Sequence, residues 1–219
     1  MNSGGKMRLR RKPWAEPEVL ESKLIIQNPK DFKGKWNEVF ENDNEICLEL
    51  GCGKGKFILE LAQKYPNRNF VAIDLKYEVL VYVKRKCEEF NIKNVRILSF
   101  NINYIDEIFE ENEVSDIYLN FSTPWPKARH HKRRLTYPSF LKKYSKIMKK
   151  GSSIYLKTDH EDFFLDSIDY INQSDFKILF KSMDLHNEDI ENIFTEYEEK
   201  FSNKGMKIMY LICKETEEI

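Results

Sequence analysis

The sequence lacks any apolar run long enough to cross a bilayer. Its apolar stretches, such as IMYLIC at 208–213, have the length of a strand, whereas a membrane-spanning helix needs roughly 20 apolar residues. The first residues are basic and contain no apolar core of the kind found in secretory leaders. The composition, with 33% charged and 41% hydrophobic residues, is that of an ordinary globular domain. We therefore expect a cytoplasmic protein with no membrane partner.

Cysteine is also scarce, and no two cysteines have the spacing of a zinc or redox motif. The four cysteines, at positions 47, 52, 87 and 213, are widely separated. Three of them lie in apolar or helical patterns, so we interpret them as buried structural thiols. His130 and His131 stand among cations with no carboxylate or cysteine at ligand spacing. The sequence therefore predicts no metal site.

Acids and bases cancel in number but are separated along the chain. Residues 6–12 carry five positive charges and no acid, and residues 125–151 carry ten Lys or Arg and no acid. The balancing acids crowd into 106–116 and 184–199. Separation of this kind predicts a basic face for a polyanion such as a nucleic acid. For the KKYSKIMKK segment alone, a solvated helix face is the simpler interpretation.

Strand-like and helix-like patterns alternate along the chain. The patterns predict strands at 45–50, 69–75, 94–100, 116–121, 152–159, 177–182 and 206–213, and helices at 54–65, 78–90, 139–150 and 162–171. This alternation predicts a doubly wound, mostly parallel, Rossmann-like α/β sheet, and the two late strands predict an antiparallel edge hairpin. We predict an irregular basic arm over residues 1–30 and a single domain over residues 31–219.

The first predicted strand runs into the glycine-rich turn ELGCGKG, which begins at Glu49. A dinucleotide fingerprint would need glycine or alanine where Lys56 or Ile58 stands, and a phosphate-binding P-loop also fails at Lys56. Asp74 ends the second strand nineteen residues after Gly55 and is placed to accept hydrogen bonds from ribose hydroxyls. An acid before the turn suits a cationic ligand. The E-x-G-x-G-x-G pattern resembles the first motif of class I S-adenosylmethionine-dependent methyltransferases.

A rigid elbow follows the fourth predicted strand. Pro124 and Pro126 enclose Trp125 and fix the backbone where the chain leaves the strand. In a doubly wound sheet, ligands bind beyond the carboxyl ends of the strands. We therefore expect the elbow, Asn101 and Asp159 to border the crevice that also contains the glycine turn. The cations after the elbow then lie where they can hold phosphates.

Six segments together resemble the bacterial tRNA (guanine-N7)-methyltransferases. They are MRLRRKPWA (7–15), NPKDFKGKWNEVF (28–40), LELGCGKG (48–55), YLNFSTPWPKARHHKRRLTYPSFL (118–141), YLKTD (155–159) and TEYEEKF (195–201). The resemblance spans nearly the whole chain. It implies a class I methyltransferase fold and S-adenosylmethionine as the cofactor. It also implies transfer of the methyl group to N7 of a guanine in tRNA, with the variable-loop guanine as the family's expected target.

The resemblance and the cationic segment together assign residues to two halves of a site. The expected cofactor-binding residues are Glu49, Gly51, Gly53, Gly55, Asp74, Asn101 and Thr123. The residues expected to contact the target nucleoside or the tRNA are Lys127, Arg129, Arg133, Arg134, Asp159, Thr195, Glu196, Tyr197 and Glu198. Thr195 and Glu198 also have the spacing of a helix capping box, so a plain helix start is the alternative interpretation of that segment. Thr123 and Asp159 are the expected catalytic positions.

Two positions depart from the family pattern. The family usually has aspartate where this chain has Thr123, and often aspartate where it has Asn101. Guanine N7 carries a lone pair and no proton, so its attack on a sulfonium methyl needs alignment rather than a general base. Asp159 remains to recognise guanine and to stabilise the positive charge that develops on the purine. We therefore expect activity to be kept, even if reduced.

Three other functions fit part of the sequence. One is a tRNA-binding relative that lost turnover together with its aspartate. A second is a methyltransferase of another amine, which the elbow suggests. A third is a nicotinamide-dependent oxidoreductase, whose fingerprint fails at Lys56. The oligomeric state, monomer or homodimer, stays open.

Overall fold

A seven-stranded sheet forms the centre of the protein. The computed structural model describes residues 11–202 and 205–216, without the side chains of residues 201 and 202. Most of the predicted basic segment at 6–12 therefore lies outside the described residues. The strands are β1 (Ile46–Leu50), β2 (Asn69–Asp74), β3 (Val95–Ser99), β4 (Val114–Asn120), β5 (Ser153–Thr158), β6 (Phe176–Ser182) and β7 (Met209–Glu215).

The order of the strands across the sheet is β3-β2-β1-β4-β5-β7-β6. The pairs β1–β2, β1–β4, β2–β3 and β4–β5 are parallel, and β7 runs antiparallel to both β5 and β6. The mostly parallel sheet and the late hairpin at its edge are confirmed. Within that hairpin β6 is the edge strand of the sheet. β7, the antiparallel strand, lies between β6 and β5.

Helices cover both faces of the sheet. They are α1 (Ala15–Leu20), α2 (Trp36–Phe40), α3 (Lys56–Lys64), α4 (Tyr77–Glu89), α5 (Pro138–Ile147), α6 (Glu161–Asn172) and α7 (Glu196–Ser202). The apolar sides of α1, α3 and α4 share one core with the sheet, and those of α2, α5 and α6 share a second core. The predicted doubly wound α/β architecture is therefore confirmed. Among the described helices, none combines the length and the apolarity that a bilayer crossing requires.

The arm at the start of the chain is less irregular than predicted. Within its described part, α1 buries Ala15 and Val19 completely. Glu18 of this helix accepts two hydrogen bonds from the guanidinium of Arg85 on α4, at 2.7 and 2.6 Å. The prediction of irregular structure is wrong for α1, because two small apolar residues four positions apart form a helical stripe that packs on α4. The boundary between arm and domain at residue 30 stays a prediction.

The four cysteines are buried and carry free thiols, as the sequence pattern predicts. Burial raises the pKa of Cys47, Cys87 and Cys213 to about 12 each. These thiols are therefore protonated at neutral pH and serve as small packing groups.

The parallel strands end at a common edge of the sheet. The strand order reverses at β1, with β2 and β3 on one side and β4 and β5 on the other. Loops that leave the two central strands at such a switch point diverge and open a crevice between them. The glycine turn follows β1, the elbow follows β4 and Asp159 follows β5. The topology therefore brings the predicted site residues to one edge.

The helices α3 and α4 approach each other closely at Gly55, and they can do so only because this residue has no side chain. Its φ is +80°, and a Cβ there would lie 2.7 Å from Cγ2 of Val83. Gly205 has a similar φ of +69° with open space around it and provides a matched control. We predict that Gly55→Ala lowers the free energy of unfolding by roughly 2–4 kcal/mol, the sum of backbone strain and a clash. Gly205→Ala should cost only the strain of about 1–2 kcal/mol. Equal losses in urea unfolding would contradict the close approach.

Candidate active site

The glycine turn leaves open space above the end of β1. Gly51 and Gly53 have φ values of 89° and 55°, and a Cβ at either position would meet no atom within 4 Å. A ligand can therefore lie directly against this backbone. Asp74 closes the turn, because its Oδ2 accepts a hydrogen bond from the N–H of Gly53 at 3.3 Å, and burial raises its pKa. Gly55 differs from the other two, since its missing side chain is required for packing on α4.

Glu49 provides a buried carboxyl group next to this turn. The residue is 2% exposed, and its Oε1 accepts a hydrogen bond from Nδ2 of Asn120 at 2.9 Å. Its Oε2 is buried and has no hydrogen-bond partner in the part of the chain that the structure describes. Burial raises the pKa of Glu49 to about 8, although the hydrogen bond from Asn120 lowers it. A buried carboxylate oxygen without a donor suits a cationic ligand.

The elbow after β4 is strained and is held in place by an arginine. Phe121 and Trp125 have φ values of 49° and 44°, which residues other than glycine rarely adopt. Nε of Arg134 donates a hydrogen bond to the carbonyl oxygen of Pro124 at 2.7 Å. Strain of this kind persists only where surrounding contacts fix it, and it concentrates at functional sites. Thr123 is exposed between the two strained residues.

The cationic segment after the elbow divides into exposed and buried residues. Lys127, Arg129 and Arg133 are exposed, and the guanidinium of Arg133 lies 5.0 Å from the ring centre of Trp125. Arg134 is only 1% exposed, and its guanidinium also pairs with a carboxylate of α6. The guanidinium of Arg134 is thus occupied by protein groups in this structure, and its contact with tRNA stays a prediction. Arg134 holds the elbow.

A buried ion pair joins the end of β5 to the first turn of α7. Nζ of Lys157 lies 3.1 Å from Oε2 of Glu198, and the two residues are 4% and 0% exposed. Oε1 of Glu198 accepts a hydrogen bond from Nδ2 of Asn192 at 2.6 Å and lies 2.9 Å from Nε2 of His186. Burial lowers the pKa of Lys157. Burial opposes ionisation of Glu198 too, but Lys157 and the two hydrogen bonds bring the pKa of Glu198 below its usual value.

Thr195 and Glu198 form the capping box that their spacing predicts. Oγ1 of Thr195 accepts a hydrogen bond from the N–H of Glu198 at 3.0 Å, and Oε2 of Glu198 lies 3.5 Å from the backbone nitrogen of Thr195. Thr195 is 7% exposed and Glu198 is fully buried. The contact of these two residues with the nucleoside or tRNA stays a prediction. They start α7 and anchor it.

The first turn of α7 touches both halves of the crevice. Oε1 of Glu196 accepts a hydrogen bond from the N–H of Lys56, the first residue of α3, at 3.2 Å. The ring centre of Tyr197 lies 4.8 Å from that of Phe121, and its hydroxyl donates to Oδ2 of Asp159 at 2.8 Å. Two consecutive residues thus join the glycine turn, the elbow and the end of β5. The structure therefore brings the residues predicted to bind the cofactor and the residues predicted to bind the substrate to one crevice.

Asn101 lies exposed at the end of β3. Its Oδ1 accepts hydrogen bonds from the backbone and side-chain N–H groups of Asn103, at 3.1 and 2.9 Å. These bonds cap the short 3-10 helix Ile102–Glu107. The cap fixes the Asn101 side chain at the same edge of the sheet where β2 ends with Asp74.

The histidine pair lies in the 3-10 helix Ala128–Arg133. His130 meets the ring of Trp125 edge-on, with ring centres 5.8 Å apart, and Nδ1 of His131 lies 3.8 Å from Oδ2 of Asp166. Within residues 11–202 and 205–216, no three His, Cys, Asp or Glu side chains group as metal ligands. That the protein uses no metal stays a prediction.

Comparison with known proteins identifies the family. A family model described as a putative methyltransferase matches residues 43–211. The tRNA (guanine-N(7)-)-methyltransferase of Clostridium tetani is 54% identical over 209 residues, which cover 95% of this chain and 99% of that protein. The protein of the same name from Clostridium acetobutylicum is 51% identical, with the same coverage. This chain belongs to the tRNA (guanine-N7)-methyltransferase family.

Solved structures similar to this methyltransferase share its fold. The 16S rRNA methyltransferase KamB aligns with a TM-score of 0.64 at 12% identity, over 84% of this chain and 94% of that one. A structure titled "Structure of an Antibiotic Related Methyltransferase" aligns with a TM-score of 0.61 at 19% identity, over 84% of this chain and 92% of that one. At such identities the likeness supports the doubly wound methyltransferase fold and nothing finer.

Four residues that shape the site of this methyltransferase escape sequence reasoning. Asn120 is the last residue of β4 and Lys157 the next-to-last residue of β5, and each follows an apolar run whose interruption is the signal that was available. His186 and Asn192 leave no such signal. Their contacts with Glu198 depend on how the chain between β6 and α7 folds, which spacing alone does not determine.

We predict that Glu49→Gln stabilises this methyltransferase at basic pH. The folded-state pKa of about 8 exceeds the ordinary value of 4.5, so the folded protein binds a proton that the unfolded chain releases between these values. The contribution of Glu49 to stability therefore falls as the pH rises from 4.5 to 8. Glutamine has no charge to bury, so the variant should be more stable above that range by about 1–3 kcal/mol, or roughly 2–12 °C in Tm.

Thermal unfolding between about pH 5 and about pH 9 measures this difference. The advantage of Glu49→Gln should shrink toward the acidic end. Glu38→Gln removes an exposed glutamate of α2 and serves as the matched control. A wild type at least as stable as Glu49→Gln at the basic end would contradict the burial of a charged Glu49.

Proposed function

We propose that this protein transfers the methyl group of S-adenosylmethionine to N7 of a guanine in tRNA, with the variable-loop guanine as its target. The observation that carries the proposal is the shared crevice. Glu49, with its unpartnered oxygen, lies at the glycine turn, and Asp159 is joined to the same turn through α7. Relatives that match nearly the whole chain carry the name of this activity. We also propose a cytoplasmic location.

The cofactor-binding half of the crevice offers a hydrogen-bonding partner for each polar part of S-adenosylmethionine. Oε2 of Glu49 is the partner for the ammonium group, which would supply the hydrogen bond that this oxygen lacks. Asp74 is the partner for the ribose hydroxyls, and the side-chain amide of Asn101 is the partner for adenine. The open space above Gly51 and Gly53 admits the ligand to the backbone. When bound, the cofactor supplies a methyl group on a positively charged sulfur.

The acceptor half has to place guanine rather than deprotonate it. N7 has a lone pair and no proton, so the task of these residues is alignment with the methyl group. Asp159 is exposed at the end of β5 and accepts hydrogen bonds from N1–H and the amino group of guanine. Its charge also stabilises the cation that develops on the purine. The exposed Thr123 offers a hydroxyl group but no charge, where the family usually has aspartate.

The exposed cations beside the elbow hold the tRNA backbone. Lys127, Arg129 and Arg133 follow Thr123 by four, six and ten residues and are exposed together on one segment. Contacts of such side chains with phosphates supply affinity without sequence preference. Asp159 then selects the base, and this segment binds the RNA backbone.

Mass spectrometry of methylated tRNA tests the proposal. Purified protein is incubated with unmodified tRNA and labelled S-adenosylmethionine, and we expect N7-methylguanosine at a single position. Asp159→Asn keeps the shape of the side chain and removes its charge, so it should lower kcat/KM by about 10²- to 10³-fold. A wild-type protein that forms no N7-methylguanosine would contradict the proposal, and a methyl group on an exocyclic amine would assign it to another class.

A catalytically weakened tRNA-binding relative is the second candidate, and Thr123 favours it because the family's aspartate is absent. Thr123→Asp separates the two candidates. For an active enzyme we expect this change to raise kcat/KM by less than about tenfold, since alignment rather than charge supplies most of the rate. Activity that appears only in Thr123→Asp would support the weakened relative.

The adjacent residues Arg133 and Arg134 should affect different properties when replaced. Arg133→Ala should weaken tRNA binding, reduce the slope of log K against log salt by roughly one, and leave stability within about 0.5 kcal/mol. Arg134→Ala removes the guanidinium that pairs with Asp166 and donates to the carbonyl oxygen of Pro124. It should therefore lower the free energy of unfolding by about 2–4 kcal/mol. Salt-dependent tRNA binding and urea unfolding of both variants measure this. An Arg134→Ala variant of wild-type stability would contradict its role in holding the elbow.

A further inference from the structure

We infer that Tyr197 is a positioning residue whose hydroxyl group fixes the carboxylate of Asp159 for the recognition of guanine. This inference deepens the proposed function and rests on it. It also explains why α7, which begins far along the chain, reaches the end of β5.

Asp159 needs an external constraint because it is exposed. It lies in the short connection between β5, which ends at Thr158, and α6, which begins at Glu161. An exposed carboxylate exchanges freely among its rotamers. The hydroxyl of Tyr197 donates to Oδ2 of Asp159 at 2.8 Å, and Oδ1 accepts no hydrogen bond from the described residues. One oxygen is thus held, and the other is available to a ligand.

Tyr197 can act as a constraint because it is itself held on two sides. Its ring packs on Phe121 with an interplanar angle of 36°, and the N–H of Phe121 donates to the carbonyl oxygen of Lys157 at 2.8 Å. The next residue, Glu198, is anchored by the buried pair with Lys157. Burial raises the pKa of Tyr197, and the carboxylate of Asp159 adds to that effect. The phenol is therefore a hydrogen-bond donor throughout the neutral range.

The chemistry of guanine makes such a constraint useful. Each carboxylate oxygen has two acceptor positions, so Oδ2 can bind Tyr197 and guanine together. N1–H and the amino group of guanine are two parallel donors, which require a carboxylate plane of defined orientation. The position of N7 relative to the methyl group depends on how the base is held. Tyr197 therefore influences the chemical step without contacting a reacting atom.

Tyr197→Phe is the direct test, because it removes the hydroxyl group and keeps the ring on Phe121. We expect kcat/KM for tRNA to fall by about fivefold to tenfold, the effect of one hydrogen bond. The dissociation constant of S-adenosylhomocysteine, measured by calorimetry, should stay within about twofold, and Tm within about 1 °C. Tyr65→Phe, at an exposed tyrosine directly after α3, is the matched control and should change none of these values.

Two further measurements distinguish positioning from a general structural role. In an Asp159→Asn background, Tyr197→Phe should change kcat/KM by less than about twofold, because the group that it orients has been altered. With tRNA that carries inosine instead of the target guanine, the amino group is absent. Wild-type protein should lose more activity on this substrate than Tyr197→Phe does, since only the wild type exploits both donors of guanine.

Each of these measurements can overturn the positioning role of Tyr197. Wild-type kcat/KM in Tyr197→Phe, a rate above that of the wild type, or an equal loss in both backgrounds would overturn it. An equal penalty for inosine in the two proteins would also overturn it. If wild-type protein forms no N7-methylguanosine, the proposed function fails first and the inference fails with it, so the two failures are distinguishable.

Discussion

The buried ion pair between Lys157 and Glu198 is the interaction on which the rest of the site depends. Two charges removed from water are costly unless they are paired and hydrogen-bonded, and here Asn192 and His186 complete the set. The pairing obliges the first turn of α7 to dock on the end of β5. Because α7 begins at that point, the contacts of its first turn with the glycine turn and with Asp159 follow from the same anchor.

The two buried glutamates of the crevice contrast with each other. Both oxygens of Glu198 are occupied by protein groups, and the Lys157 contact helps to keep it ionised. Glu49 has one oxygen occupied and one that finds no donor among the residues that the structure describes, and burial drives its pKa upward. The first arrangement stabilises the fold, whereas the second lowers stability and leaves binding energy available to a cationic ligand. The difference separates a structural acid from one suited to a ligand.

Much of the fold and part of the site can be predicted from sequence, because they rest on local patterns. Alternating strands and helices, the acid before the glycine turn and the acid that ends β2 all leave periodic or spacing signals. Arg134 shows the limit of this reasoning, since a run of cations does not reveal which member turns inward. Thr195 shows another limit: its spacing with Glu198 predicts the capping box that the structure has, but spacing does not decide whether a ligand also meets this segment. The contacts of His186 and Asn192 with Glu198 depend on long-range packing that no local pattern records.

The location of β7 has a consequence for biosynthesis. This strand is translated after α7, yet it lies between β5 and β6. On the ribosome, β6 therefore has no neighbouring strand to pair with until β7 emerges. Until then, the chain that follows β6 and includes α7 has no strand at its carboxyl end to hold it to the sheet. The basic elbow emerges well before that moment. A nascent chain therefore gains a finished crevice only after β7 has been made.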